Sequence, residues 1–304
     1  MNVTRQPVPS ILLEVCVDSV ESALKFVAIE ILVFDVLIQR HSAAKGGANR
    51  LELCGNLGLG GGTTPSAGLL RSVQKALTDD GYNIPIMAMI RPRVGDFLYS
   101  EHEVDIMIQD IEIFKEFGVQ GVVFGALTAE GNIDIQTTRR LVEASLPLEV
   151  CFHRAFDMTK DADAAFRDIR AVGAGITRIL TRYSQFLYIF LFGIQRLSSS
   201  GQAVSVVQSL PVVKMLIETS KDQQGPVIMP GSGVNARSVE EVVECLGPFG
   251  LLEIHMSGGG WLESGMSHRP EGMGMGASEA KEWCIWRTSE SSVRQVREKL
   301  DRLV

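Results

Sequence analysis

The chain lacks a basic block, a cysteine framework and an interdomain linker. Its formal net charge is −7 and its basic residues are scattered, which argues against a nucleic-acid surface. The first ten residues hold Arg5, Pro7 and Pro9 but no apolar core, so no secretory signal is expected there. Cysteines number five, an odd count without framework spacing. Free thiols in a reducing compartment follow, and a cytoplasmic protein is expected. A bilayer span is not expected either: the apolar run 26–38 is short for one and is broken by Glu30 and Asp35. With 45% apolar and 21% charged residues, the composition is that of a soluble globular protein.

What is present is a repeated strand–helix unit. Apolar strand signals cover 11–17, 50–54, 84–91, 119–125, 147–153, 175–181, 226–230 and 251–255. Helical spacing follows each: 20–24, 69–77, 101–117, 134–144, 161–172, 204–219, 235–246 and 289–303. Eight such units in a single domain predict a closed α/β barrel of the (β/α)8, TIM type, with 257–304 as a C-terminal extension. Two runs do not fit. Residues 25–42 and 182–199 are far more apolar than the outer helix or connection they interrupt. Without them the chain would approach the ~250 residues typical of this barrel.

Barrel chemistry sits at the carboxyl ends of the strands. Leu13-Glu14-Val15-Cys16 and Leu51-Glu52-Leu53-Cys54 each set an acid and a thiol two residues apart. Residues two apart share a strand face, so both pairs point one way and the leucines and valine the other. Two matched pairs favour a site over two unrelated core cysteines, because an unpaired buried carboxylate is costly. The other strand ends add Arg91 and Arg93, His153 with Arg154 and Asp157, the turn Gly231-Ser232-Gly233, and His255. Cys151 shares parity with His153, whereas Cys245 and Cys284 look peripheral.

Two chemistries compete for this set. One is a soft metal: neighbouring thiolates can share one ion and favour Cu(I), while zinc would want four ligands. The other is an enzyme of lyase or isomerase type acting on a small anionic metabolite. There Arg91, Arg93 and Arg154 would clamp the anion, with Glu14 or Glu52 as acid or base and His153 as partner. Asp157 would join that catalytic set, and Gly231, Ser232 and Gly233 would form an anion-binding turn. Against both stands a purely structural reading, in which Arg91, Glu14 and Glu52 form a buried ion-pair network at the mouth.

Several motifs together resemble the CutC copper homeostasis protein family. They are Leu13-Glu14-Val15-Cys16-Val17-Asp18-Ser19, Glu52-Leu53-Cys54-Gly55 with Gly61-Gly62-Thr63-Thr64-Pro65-Ser66, Met89-Ile90-Arg91-Pro92-Arg93, and Phe152-His153-Arg154-Ala155-Phe156-Asp157. Met229-Pro230-Gly231-Ser232-Gly233 belongs with them, and the resemblance spans most of 11–256. It implies a (β/α)8 barrel, a cytoplasmic homo-oligomer, and Cu(I) held by cysteines matching Cys16 and Cys54. It also sharpens the two misfits. In the family the first helix runs unbroken where 25–42 stands here, and the sixth strand runs straight on where 182–199 separates Thr181 from Ser200. The expectation is that both runs are translated intron sequence.

Overall fold

The structure is a computed structural model that describes residues 10–24, 44–173, 175–182 and 205–303. Almost all of the two unusual runs lies outside the described residues. Eight parallel strands alternate with helices: β1 (Leu12–Val17), β2 (Arg50–Leu53), β3 (Ile86–Met89), β4 (Gly121–Phe124), β5 (Glu149–Phe152), β6 (Ile176–Thr181), β7 (Val227–Pro230) and β8 (Glu253–Met256). Their order is β7-β6-β5-β4-β3-β2-β1-β8, and β7 lies against β8 to close a TIM-type barrel.

The helices are amphipathic for a visible reason. In α2 (Ala67–Asp79) the buried residues are Leu70, Val73 and Leu77, and in α5 (Ala162–Val172) they are Ala162, Ala165, Phe166, Ile169 and Val172. Both sets follow the three-and-four spacing that puts one stripe on the barrel. Side-chain caps start them: Ser66 for α2, Asp161 for α5, and a Ser100–Glu103 capping box for α3 (Glu101–Glu116). The ring continues with α4 (Ile135–Ser145), α6 (Leu210–Asp222) and α7 (Val239–Leu246), after the short α1 (Val20–Ala23).

The segment 257–304, read from the sequence as an extension, supplies the last ring helix. That helix, α8 (Glu290–Leu303), buries Val293, Val296 and Leu300. It packs so closely on the 44–48 turn that a Cβ on Gly46 would lie 2.6 Å from Val293 Cβ. Before it, β9 (Gly259–Glu263) and β10 (Cys284–Thr288) form an antiparallel hairpin with Trp261 opposite Trp286. Thr288 ties the hairpin to β1 by donating from its hydroxyl to the Cys16 carbonyl at 3.2 Å.

Strand alternation separates two layers. Leu13, Val15, Val17, Leu51 and Leu53 face the helices in the main core. A separate inner cluster holds Cys16, Cys54, Met87, Met89, Val123, Cys151, Leu180 and Met229. Six of these eight side chains carry sulfur, so the barrel interior is unusually soft and polarizable.

Below that cluster, at the amino-terminal floor, the interior is ionic. Arg50 bridges Glu14 and Glu253, each at 2.5 Å, and Arg178 bridges Glu253 and Glu149. All are tied into a chain of alternating charge, which is what makes their burial tolerable.

Candidate functional site

Strand register determines which predicted residues meet. Glu14 stands opposite Arg50 on one side and His255 on the other, and Cys16 stands opposite Glu52. The two Glu–Cys pairs are therefore offset by two residues, the stagger a closed barrel requires. Thiol faces carboxylate across the strands rather than thiol facing thiol, and Cys54 sits one step above Cys16.

This offset builds a compact donor set. Cys16, Glu52 and His255 each aim one metal-capable atom at the others, all within 4.8 Å, and all three are buried. His255 is fixed from behind by Glu14, whose Oε1 lies 2.7 Å from Nδ1. Its other nitrogen, Nε2, lies 3.9 Å from Glu52 Oε2. A carboxylate holding one imidazole nitrogen so that the other can bind is the arrangement behind many metal-ligating histidines. Cys54 stays beside the set, its thiol 3.6 Å from Glu52 Oε2.

The charge states follow from burial and neighbours. For Glu14, burial works upward, but the His255 hydrogen bond and the Arg50 charge outweigh it and hold the carboxyl at about 2. Glu14 is thus a fixed anion, and it does not line the cavity. Burial pushes Glu52 up, and the nearby Glu14 charge adds to the push. Its Oε1 has no hydrogen-bond partner among the described residues. His255 loses solvation, yet the Glu52 and Cys16 neighbours and its bond to Glu14 raise it well above the ordinary range. Burial raises the thiols of Cys16 and Cys54 as well, so both are protonated at neutral pH.

Above the donor set opens a cavity of about 470 Å³. Cys16, Glu52, Arg91, His153, Arg154, Asp157, Ser232 and Gly233 line it, so most of the residues singled out in the sequence converge here. Cys54 and Gly231 do not line it. The Gly231 N–H donates to the Thr181 carbonyl at 2.9 Å and belongs to the barrel rather than to a ligand.

The structural expectation for Arg91 is corrected. It forms no ion-pair network with Glu14 or Glu52. Its guanidinium donates to the carbonyls of Gly60 (2.6 Å), Gly62 (3.0 Å) and Gly95 (3.1 Å). The glycine run curls around it, with Gly62 at φ +94° where a Cβ would meet Cys54 Sγ at 2.9 Å. Arg93 leaves the predicted clamp, because Glu103 (2.5 Å) and Asp96 (2.9 Å) hold it on the outer loop.

His153 caps the 3-10 turn Arg154–Met158, its Nδ1 accepting from the Ala155 N–H at 3.2 Å. Burial and the Arg91 charge depress it to about 3, so it is neutral with its proton on Nε2. Asp157 pairs with Arg154 at 2.9 Å and accepts from the Thr181 hydroxyl at 2.7 Å, which braces the turn against β6. The sequence reading noted His255 without giving it a role. Its signal was parity with Glu253 on β8, the same two-residue spacing as in the two Glu–Cys pairs. It also missed Trp286, which reaches the cavity from a hairpin no strand-end rule anticipates.

Known proteins resemble this chain in sequence and fold. The CutC family model matches residues 11–188 and 184–260. The chain belongs to the CutC family. The two matched pieces meet inside the second apolar run. The copper homeostasis protein cutC homolog of Mus musculus is 39% identical over 284 residues, covering 93% of this chain and 87% of that protein. The CutC family protein of Chromobacterium violaceum is also 39% identical, over 86% of this chain and 93% of its own. A crystal structure of the Streptococcus agalactiae CutC protein superposes with a TM-score of 0.60 at 28% identity, over 81% of this chain and 98% of that one. No helix among the described residues is long and apolar enough to cross a membrane.

Proposed function

We propose that this CutC chain binds one Cu(I) ion as cargo at the barrel mouth, through Cys16 with His255 and Glu52, and with Cys54 as a neighbouring second thiol. The observation that carries the reading is the Cys16–Glu52–His255 convergence within 4.8 Å, set in an interior of cysteine and methionine side chains. Thiolate with imidazole suits a soft monovalent ion better than the oxygen-seeking cations. The relatives' names, as copper homeostasis proteins, point the same way.

Loading requires deprotonation. Cys16 is a thiol and His255 an imidazolium in the free protein, so an incoming ion displaces protons from both. Cys16 and His255 both line the mouth cavity, through which the displaced protons leave to solvent. Affinity should therefore rise with pH.

The test is an anaerobic competition titration of the reduced protein with Cu(I). One ion per chain is expected, with proton release into weak buffer. Cys16→Ser and His255→Ala should each weaken binding by about 100-fold or more, while Cys245→Ser leaves it unchanged. Undiminished affinity in the Cys16→Ser, Cys54→Ser double variant refutes the assignment.

A further inference from the structure

Buried polar side-chain atoms nearly always find hydrogen-bond partners, so a cluster that does not is informative. Among the described residues nine such atoms are left over, and five belong to residues that line the mouth cavity. Four of the five are N–H donors: Arg91 Nε, His153 Nε2, Arg182 Nε and Trp286 Nε1. The fifth is Glu52 Oε1. Copper accounts for the Glu52 side, because that residue belongs to the donor set. It explains none of the nitrogens: a guanidinium or an indole N–H is no metal ligand, and His153 lies outside the Cys16–Glu52–His255 set.

We propose that the cavity holds a second ligand beside the metal set, a small oxyanion-bearing metabolite whose carboxylate or phosphate accepts from His153 Nε2–H and the Arg91 guanidinium, with Trp286 over it. Three observations converge. His153 and Arg91 are only 3% and 6% exposed, so their free donors cannot be left to bulk water. Arg91 faces carbonyls and the Phe97 ring, 5.0 Å from its centroid, but no carboxylate among the described residues, so its charge lacks a counter-ion. An anion meets both needs with charge-assisted hydrogen bonds. Finally, Ser232 and Gly233 at the end of β7 line the same cavity, both with positive φ, where related barrels hold phosphate groups. Neutral His153 then acts as a donor at every physiological pH, and Arg154, half-exposed at the rim, guides the anion in.

This reading stands independently of copper. Its test uses the whole chain and two probes, inorganic phosphate and malonate, with binding heat and thermal shift read together. At least one probe should raise the melting temperature of the wild type by mass action. Arg154→Ala, a rim change the fold tolerates, should weaken that probe by about tenfold. His153→Gln keeps an N–H near the Nε2 position and should retain most of the affinity, whereas His153→Met should lose it. All three variants should bind Cu(I) as the wild type does. A shift with phosphate alone assigns a phosphate ligand, and a shift with malonate alone a carboxylate. No response to either probe overturns the proposal, since the orphan donors would then be satisfied by water. A response equal in wild type, Arg154→Ala and His153→Met also overturns it, because the anion would be bound elsewhere.

Discussion

The two ends of the barrel solve the same electrostatic problem in opposite ways. At the floor, Arg50 and Arg178 are shared among Glu14, Glu149 and Glu253, so each buried charge meets an opposite one directly. At the mouth, Arg91 donates to carbonyls but keeps Nε unpartnered, His153 is kept neutral, and Glu52 keeps one oxygen free. The floor consumes its own bonding capacity, while the mouth leaves capacity for something else. This matches the division of labour in TIM-type barrels, where the amino-terminal face serves stability and the carboxyl-terminal face serves chemistry. Glu14 belongs to both ends. One oxygen holds Arg50 in the floor and the other aligns His255 beside Cys16 and Glu52.

The sharpest way to break the comparison is to remove the floor's shared cation. Arg50→Met leaves Glu14 with only His255 and Glu253 with only Arg178 for a partner, and should cost roughly 3–5 kcal/mol. Arg154→Ala at the rim removes a partly exposed pair and should cost about 1 kcal/mol or less. Urea unfolding of the two variants decides it. Equal losses would mean that the two ends are not energetically distinct.

Acidity separates them next. The folded pKa of His153 is depressed to about 3 from 6.5, so below pH 6.5 the unfolded chain takes up a proton that the folded chain refuses. Its contribution to stability is therefore lost as pH falls from 6.5 toward 3. Between pH 6.5 and 5 the loss amounts to about 2 kcal/mol. Glu14 adds a second loss at lower pH, between 4.5 and about 2. His255 has the opposite sign: its raised pKa adds stability at low pH that disappears as pH rises through the raised value. His153→Gln should flatten the decline of stability between pH 6.5 and 5, and a slope unchanged by that substitution would contradict a neutral buried His153.

Much of this was legible in the chain. Eight strand–helix units, the inward parity of Glu14 with Cys16 and Glu52 with Cys54, and the strand-end location of Arg91, His153 and Arg154 all follow from period and position. Register was not legible. Alternation states which face a side chain takes, but not which residue of the next strand lies opposite, and a two-residue stagger turned the expected thiol pair into Cys16 facing Glu52. Arg50 and Glu253 were missed because a charge at the start of a strand resembles a solvated end until closure of the barrel buries it. Arg93 shows the converse: two residues after Arg91, it shares its parity, yet the chain has left the strand and turned it outward.

Stagger yields a smaller prediction. Cys16 lies inside the donor set and Cys54 beside it. Cys16→Ser should remove tight Cu(I) binding, while Cys54→Ser should weaken it by about tenfold, because it alters only the hydrogen bond to Glu52. Equal losses would restore a paired-thiol site and require Glu52 to move aside when the ion enters.

The smallest expected effect concerns the two apolar runs. Residues 25–42 and 182–199 differ from the rest of the chain in apolar density, and both interrupt patterns that are complete without them. The family match also breaks into two pieces at 184–188, within the second run. The proposal is that both are translated intron sequence, so a chain without them should fold as well as the full one. Its stability should differ from the full chain by no more than about 1 kcal/mol, and Cu(I) affinity should be unchanged, since Cys16, Glu52 and His255 lie outside both runs. Anion binding should weaken slightly, because the second deletion removes Arg182 from the cavity wall. A shortened chain that fails to fold, or a transcript that retains both segments in phase, would show that the runs are part of the protein.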